Sequence, residues 1–173
     1  MERNINVITD LDGRKIVLVN DIRFKSRRNL DWETIEQYLK EYIGQYQEII
    51  ETSEKVYIGS VFPDEFCGSE DRIRLKGANL KAKANIATAI KELIYIATNR
   101  RQYPDHGNKH GKRAQHGWYR YDTRFGIPVY EEDGTLGRYN IFTAQMLVRN
   151  DNYNCLYLYD FIKIKKETCS PHR

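Results

Sequence analysis

The sequence predicts an α+β fold: two main helices packed on a C-terminal antiparallel sheet of about four strands, with an added N-terminal β-hairpin. Three observations carry this reading. Two stretches place apolar residues at helical spacing, one turn apart along a single face. The last third of the chain alternates apolar and polar residues, broken by Asp133-Gly134 and by a polar segment at 150–154, as an antiparallel meander would be. Two short runs rich in Ile and Val flank Asp10-Leu11-Asp12-Gly13 near the N-terminus.

Taken in order, 4–9 and 15–19 are the hairpin strands, and Gly13 supplies the turn. Asp31 is placed to cap a helix. Trp32, Ile35, Leu39, Tyr42, Ile43, Tyr46, Ile49 and Ile50 follow as one stripe, predicting a helix of about five turns. A short strand is expected over 55–61. A polar loop carrying Asp64, Glu65, Glu70 and Asp71 comes next. The second helix is expected over 72–99, with Leu75, Ala78, Ala82, Ile86, Ala89, Leu93 and Ile96 on its apolar side. Gly77 is its weak point, and Pro104 lies beyond its end. A basic connector covers 100–117. Strands are then expected over 118–130, 138–149 and 155–166, followed by a frayed tail.

A chain of 173 residues and 20.5 kDa suits one domain, with 1–20 as a hairpin extension, 21–168 as the α+β body and 169–173 as a tail. With 4 prolines and 11 glycines, collagen-like and Pro/Gly-rich disordered classes are excluded. No apolar run is long enough to span a membrane, and none at the N-terminus has signal-peptide length. Cys67, Cys155 and Cys169 are odd in number and widely spaced, which points to a reducing compartment rather than a disulfide framework. The net charge of +4 is mild, so local clustering matters more. The 13 tyrosines suit a half-exposed sheet or a stacking surface.

The informative stretch is 100–124. It holds Arg100, Arg101, Lys109, Lys112, Arg113, Arg120 and Arg124, opposed only by Asp105 and Asp122, together with His106, His110 and His116. Trp118, Tyr119 and Tyr121 interleave with these cations, as phosphate binding plus base stacking would require. A solvated basic loop has the same composition. On a strand, Trp118, Arg120, Asp122 and Arg124 share one face, and Tyr119, Tyr121, Thr123 and Phe125 share the other. The two arginines are then placed to meet successive phosphates, or to form an ion-pair ladder with Asp122. Leu156, Leu158, Ile162 and Ile164 are expected in the core. Tyr157, Tyr159, Phe161, Lys163 and Lys165 then make the opposite face, either an RNA platform or a surface under a helix. No metal site is expected: Pro104, Gly107 and Gly111 favour a loop at His106 and His110, with no Glu between the histidines. This inventory suffices for RNA cleavage without metal or cofactor. Histidine can move the protons, while Arg and Lys stabilise the charge developing on phosphorus.

Five runs resemble a family: Arg74–Asn85, Glu92–Arg100, Gly117–Phe125, Arg138–Phe142 and Ile164–Thr168. They are similar to a phage- and mobile-element-associated family of Gram-positive bacteria grouped with barnase, EndoU, colicin and RelE-type nucleases. The resemblance spans about 21–170. It implies helices followed by a four-stranded antiparallel sheet, and a toxin-like ribonuclease acting on tRNA or another RNA. His110 would be the acid–base residue, with His116 able to exchange roles. Arg120 and Arg124 would bind the phosphate, with Tyr121 and Thr168 as further polar groups. Lys109, Arg113, Trp118, Lys163 and Lys165 would bind substrate. Such an enzyme brings an inhibitor or immunity protein as partner, no membrane, and a place in the bacterial cytoplasm or in a phage head. The alternative on the same fold is a non-catalytic phage structural module, or one that binds nucleic acid or protein.

Overall fold

The computed structural model describes residues 4–25, 30–105, 110–114 and 116–167; the side chains of Lys112 and Arg113 lie outside that description. It is a mixed α/β fold. Three helical stretches pack on a large curled sheet of 8 strands. The sheet runs β1 (Ile5–Thr9), β2 (Lys15–Val19), β6 (Trp118–Tyr130), β7 (Leu136–Asn150), β8 (Leu156–Lys166), β4 (Lys55–Tyr57) and β3 (Tyr46–Glu48). β5 (Thr98–Tyr103) joins the edge of β6 beside β2. The expectation of about four strands is therefore met only in its antiparallel centre, β5 to β8.

The additional strands reach the sheet through parallel pairings. Val17 lies opposite Phe125, and Val56 opposite Leu156. Parallel partners are distant in sequence and leave no turn signal. The N-terminal hairpin is thus part of the main sheet, not an appendage, and its Val17 and Val19 are fully buried.

The helices are shorter than the periodicity suggests. Asp31 does cap α1 (Trp32–Lys40), accepting from the Thr34 N–H at 3.2 Å. The helix stops at Lys40 because the chain turns there, and Gly44 N–H donates to the Ile58 carbonyl. The rest of the apolar stripe is divided between a turn at Tyr42 and Ile43, β3 at Tyr46, and the residues after it, where Ile49 still reaches the core.

The expected loop at 62–69 is instead α2 (Phe62–Gly68). Pro63 and the acidic Asp64 and Glu65 favour its start, and Phe62, Phe66 and Cys67 are buried. The expected second helix is divided into α3 (Glu70–Arg74), α4 (Gly77–Asn85), a 3-10 turn at Ile86–Ala89, and α5 (Ile90–Tyr95). Gly77 at φ +57° makes the first break. Residues 98–103, expected as the end of that helix and a connector, form β5.

The core lies between these helices and one sheet face. Thr123 on β6 donates to the Leu93 carbonyl of α5, and Phe125 stacks on Phe142 with ring centroids 5.3 Å apart. Tyr121, Thr123 and Phe125 all point inward, as strand alternation requires.

Alternation fails in β8. Met146 faces Phe161, Leu147 faces Asp160 and Val148 faces Leu158, so Tyr159 is one residue too many. A second extra residue lies between Ile162 and Lys165, where Lys163 adopts φ +54°. These bulges put Phe161 in the core, against the expectation that it shares a face with Tyr157 and Lys163. Ile162, expected in the core, is only half-buried.

Candidate nucleic-acid interface

The face of β6 turned away from the helices carries Trp118, Arg120, Asp122 and Arg124. The two arginines are four positions apart, so about 13 Å of strand lies between them.

Their partners differ as well. Arg124 donates to both oxygens of Glu167, at 2.9 and 3.3 Å, and to Asp10 Oδ2 at 2.6 Å. Glu167 and Asp10 hold its guanidinium in the charged form, against partial burial. Asp122 is occupied by Arg101 at 2.8 Å and by the Asn99 side chain at 2.9 Å. Arg120 is less committed. It lies over the Tyr103 ring, 4.8 Å from the centroid, and reaches Gln145 Oε1 at 3.3 Å. Its Nε is buried without a partner among the described residues.

At the end of the strand, two positions before Arg120, Trp118 meets His110, which is held in place by aromatic rings. Its centroid is 4.9 Å from that of Trp118 and 5.6 Å from that of Tyr159, edge-on to both. One Asp105 carboxylate fixes the corner, accepting from His110 N–H at 3.0 Å and from the Trp118 indole at 3.2 Å. No hydrogen bond engages the His110 imidazole among the described residues. The Tyr159 hydroxyl is pushed above its ordinary range by burial and by Glu65, so it stays protonated.

Gly117 makes this corner possible. It adopts φ +86°, and a Cβ there would stand 2.5 Å from the Tyr103 carbonyl oxygen.

Further along the same face is a cleft of about 830 Å³. Lys163 and Lys165 of β8, Thr143 and Gln145 of β7, and Arg14 and Lys15 beside the N-terminal turn line it. Lys15, Lys163 and Lys165 have no carboxylate within ion-pair distance among the described residues. Glu51 also lines the cleft, accepting from the Asn99 N–H, so the three lysines leave it net positive, while Arg124 at its wall is neutralised by Asp10 and Glu167.

The remaining residues expected at the site fall elsewhere. Tyr121 is fully buried on the core side, donating to Glu54 Oε1 at 2.9 Å, and so cannot meet a phosphate on the open face. His116 is exposed and lines a different hollow, with Tyr119 and Asn150. Trp118 is almost wholly covered and supports His110 instead of offering a stacking surface. His106, Lys109 and Thr168 lie outside the described residues, as does the side chain of Arg113.

Sequence reasoning missed Asp105, Gln145, Arg14 and Lys15. Asp105 was legible only as a counter-charge, and the hairpin cations meet this face only through the parallel β2–β6 pairing. No family model, curated protein or solved structure matches this chain. No helix among the described residues is long and apolar enough to cross a membrane.

Proposed function

We propose that the chain is a metal-independent endoribonuclease-like domain whose reaction centre is the His110–Arg120 corner of the open sheet face. One observation carries this reading: an imidazole with no hydrogen-bond partner among the described residues packs edge-on to Trp118 and Tyr159, and two positions along the same strand face from Trp118 the Arg120 guanidinium keeps an uncommitted Nε. The five runs that resemble the nuclease family include both ends of that face, Gly117–Phe125 and Ile164–Thr168, and add support.

In this reading a ribose 2′-oxygen attacks the adjacent phosphorus and loses its proton. The bond to the 5′-oxygen breaks, and that oxygen is protonated as it leaves. The products are a 2′,3′-cyclic phosphate and a 5′-hydroxyl. His110 moves a proton at one of the two oxygens. Arg120 pairs with the non-bridging oxygens as charge gathers on them. Lys15, Lys163 and Lys165 hold the neighbouring phosphates in the basic cleft.

The second reading is a non-catalytic nucleic-acid-binding module. The closure of Arg124 by Glu167 and Asp10 favours it, because that removes one expected phosphate ligand. Incubation of the purified protein with cellular RNA in excess chelator separates the two. The nuclease reading expects discrete fragments ending in 2′,3′-cyclic phosphate, reduced at least a hundredfold, about the usual weight of a general acid–base group, by His110→Ala, and strongly reduced by Arg120→Ala. Intact RNA with salt-sensitive binding selects the second reading. Cleavage that survives both substitutions removes the proposed centre.

A further inference from the structure

Around the edge of β5 from the His110 corner, the sheet ends in a polar groove. Two hollows of about 590 and 700 Å³ meet there, sharing Tyr119, Asn150 and Asn154. Glu54, Arg100 and Cys155 line one, and Tyr103, Asp105 and His116 line the other.

Asn150 stands where the two hollows meet and is only 2% exposed. Its side-chain amide donates to Asn154 Oδ1 at 2.8 Å and to the Tyr119 hydroxyl at 3.5 Å. Its backbone donates to Gly117 and accepts from His116, so the residue is fixed in place. Its Oδ1 has no partner among the described residues. A buried acceptor left unpaired is costly, and such atoms call for a donor from elsewhere.

Tyr119 stands beside it. The Arg100 guanidinium covers one face of the ring at 4.8 Å from the centroid, and Glu54 fixes that guanidinium at 2.8 Å. Arg100 lines only the Glu54 hollow; the His116 hollow opens on Tyr119 without it. An aromatic ring backed by a guanidinium is a stacking platform that accepts any flat π-system. His116, exposed on the same side, adds a second flat polar ring.

We propose that this groove is a nucleobase-binding site: a base stacks on Tyr119 and presents an N–H edge to Asn150 Oδ1. The inference rests on the ribonuclease reading for the source of that base. Asp105 and Tyr103 line the groove and also build the reaction corner, one beneath His110 and the other beneath Arg120. A base held here therefore belongs to a nucleotide next to the phosphate at Arg120. Recognition by shape, stacking and base edge is how single-stranded RNA is read.

Free ribonucleosides test the groove because they lack phosphate and bypass the basic cleft. Saturation-transfer NMR with each of the four should show transfer to the base protons of at least one. Binding should weaken about tenfold in Tyr119→Leu, the usual weight of one stacked base, and also in Asn150→Leu. It should be unchanged in Lys166→Gln, an exposed residue that lines neither hollow. Thermal melting checks that each variant folds; if Asn150→Leu does not, Tyr119→Leu and His116→Ala decide. Absence of transfer from every nucleoside to the folded protein overturns the base site and leaves the cleavage assay to judge the nuclease reading. Equal binding by Tyr119→Leu also overturns it. Nucleoside binding without any RNA cleavage overturns the nuclease reading alone.

Discussion

Lys83 and Asp160 are 0% and 1% exposed, and their charged groups meet at 2.8 Å. Lys83 comes from α4, Asp160 from the first bulge of β8. Asp71 stands 3.9 Å from the same ammonium, and the Lys83 ammonium also lies over the Phe66 ring. Burial raises the Asp160 carboxyl, Lys83 pulls it back, and the result is about 6. The folded state therefore holds that proton more tightly than the unfolded chain does. The contribution of this group to stability is fully present below about pH 4 and is lost as pH rises through about 6. Urea unfolding of the wild type and of the Lys83→Met/Asp160→Leu double variant, compared across that range, should show the difference moving against the wild type as pH rises. A constant difference would remove Asp160 as the titrating group. Replacing Lys83 alone should cost about 3–5 kcal/mol, because Asp160 is left buried without its cation; replacing Asp160 alone should cost less, because Asp71 still faces the ammonium, and the double variant should recover most of the Lys83 loss. Neither residue was marked by the sequence. Lys83 sits in an alanine-rich helix and Asp160 in a tyrosine-rich strand, and only the bulge brings them together.

At the scale of elements, β8 is the strand whose departures from regularity shape the open face. Its second bulge holds Lys163 at φ +54°, a conformation that L-residues other than Asn and Gly adopt at a cost of about 1–2 kcal/mol. Asp71 secures it by accepting from the Lys163 N–H at 3.2 Å. The bulge lets Ile164 enter the core while Lys163 and Lys165 both line the cleft. Strain kept at a cation that lines a candidate site is a trade of stability for binding. Lys163→Gly should therefore stabilise the protein by about 1 kcal/mol in urea unfolding and at the same time weaken RNA binding. A Lys163→Gly protein less stable than wild type would show that the backbone there is not strained. The elements themselves were legible where a local signal exists: the Asp31 cap, the Asp133-Gly134 turn and the alternation in β6 all sit where the residues put them. They were illegible where tertiary contacts override period. The stripe from Trp32 to Ile50 keeps helical spacing although its second half is turn and strand, because Tyr42 and Ile49 reach the core from either side of the turn. The bulges of β8 leave no mark in a single sequence, and one of them decides where Phe161 points.

For the whole molecule, the question is where its modest positive charge is left uncompensated. Most arginines of the open face are answered: Arg101 by Asp122, Arg124 by Glu167 and Asp10, and Arg100 at the sheet's end by Glu54. The lysines of the cleft are not. They come from opposite ends of the chain, Lys15 from β2 and Lys163 and Lys165 from β8, and the curled sheet gathers them on one face. The candidate site is thus a property of the assembled sheet more than of the basic 100–124 stretch that dominates the sequence. Binding of a single-stranded RNA should weaken steeply with salt, since each neutralised phosphate releases counterions. Replacing Lys15, Lys163 and Lys165 together with Gln should flatten the plot of log affinity against log salt by about 2, the share of three phosphate contacts on a single strand. The triple variant should keep its thermal midpoint, because none of the three lysines forms an ion pair among the described residues. Fluorescence anisotropy with a labelled oligonucleotide reads this slope directly. An unchanged slope would place the phosphate track elsewhere, with the Arg120 corner acting without the cleft. A slope that collapses in the triple variant, with cleavage reduced in proportion to binding, would assign the cleft to holding the strand and the His110 corner to the chemistry.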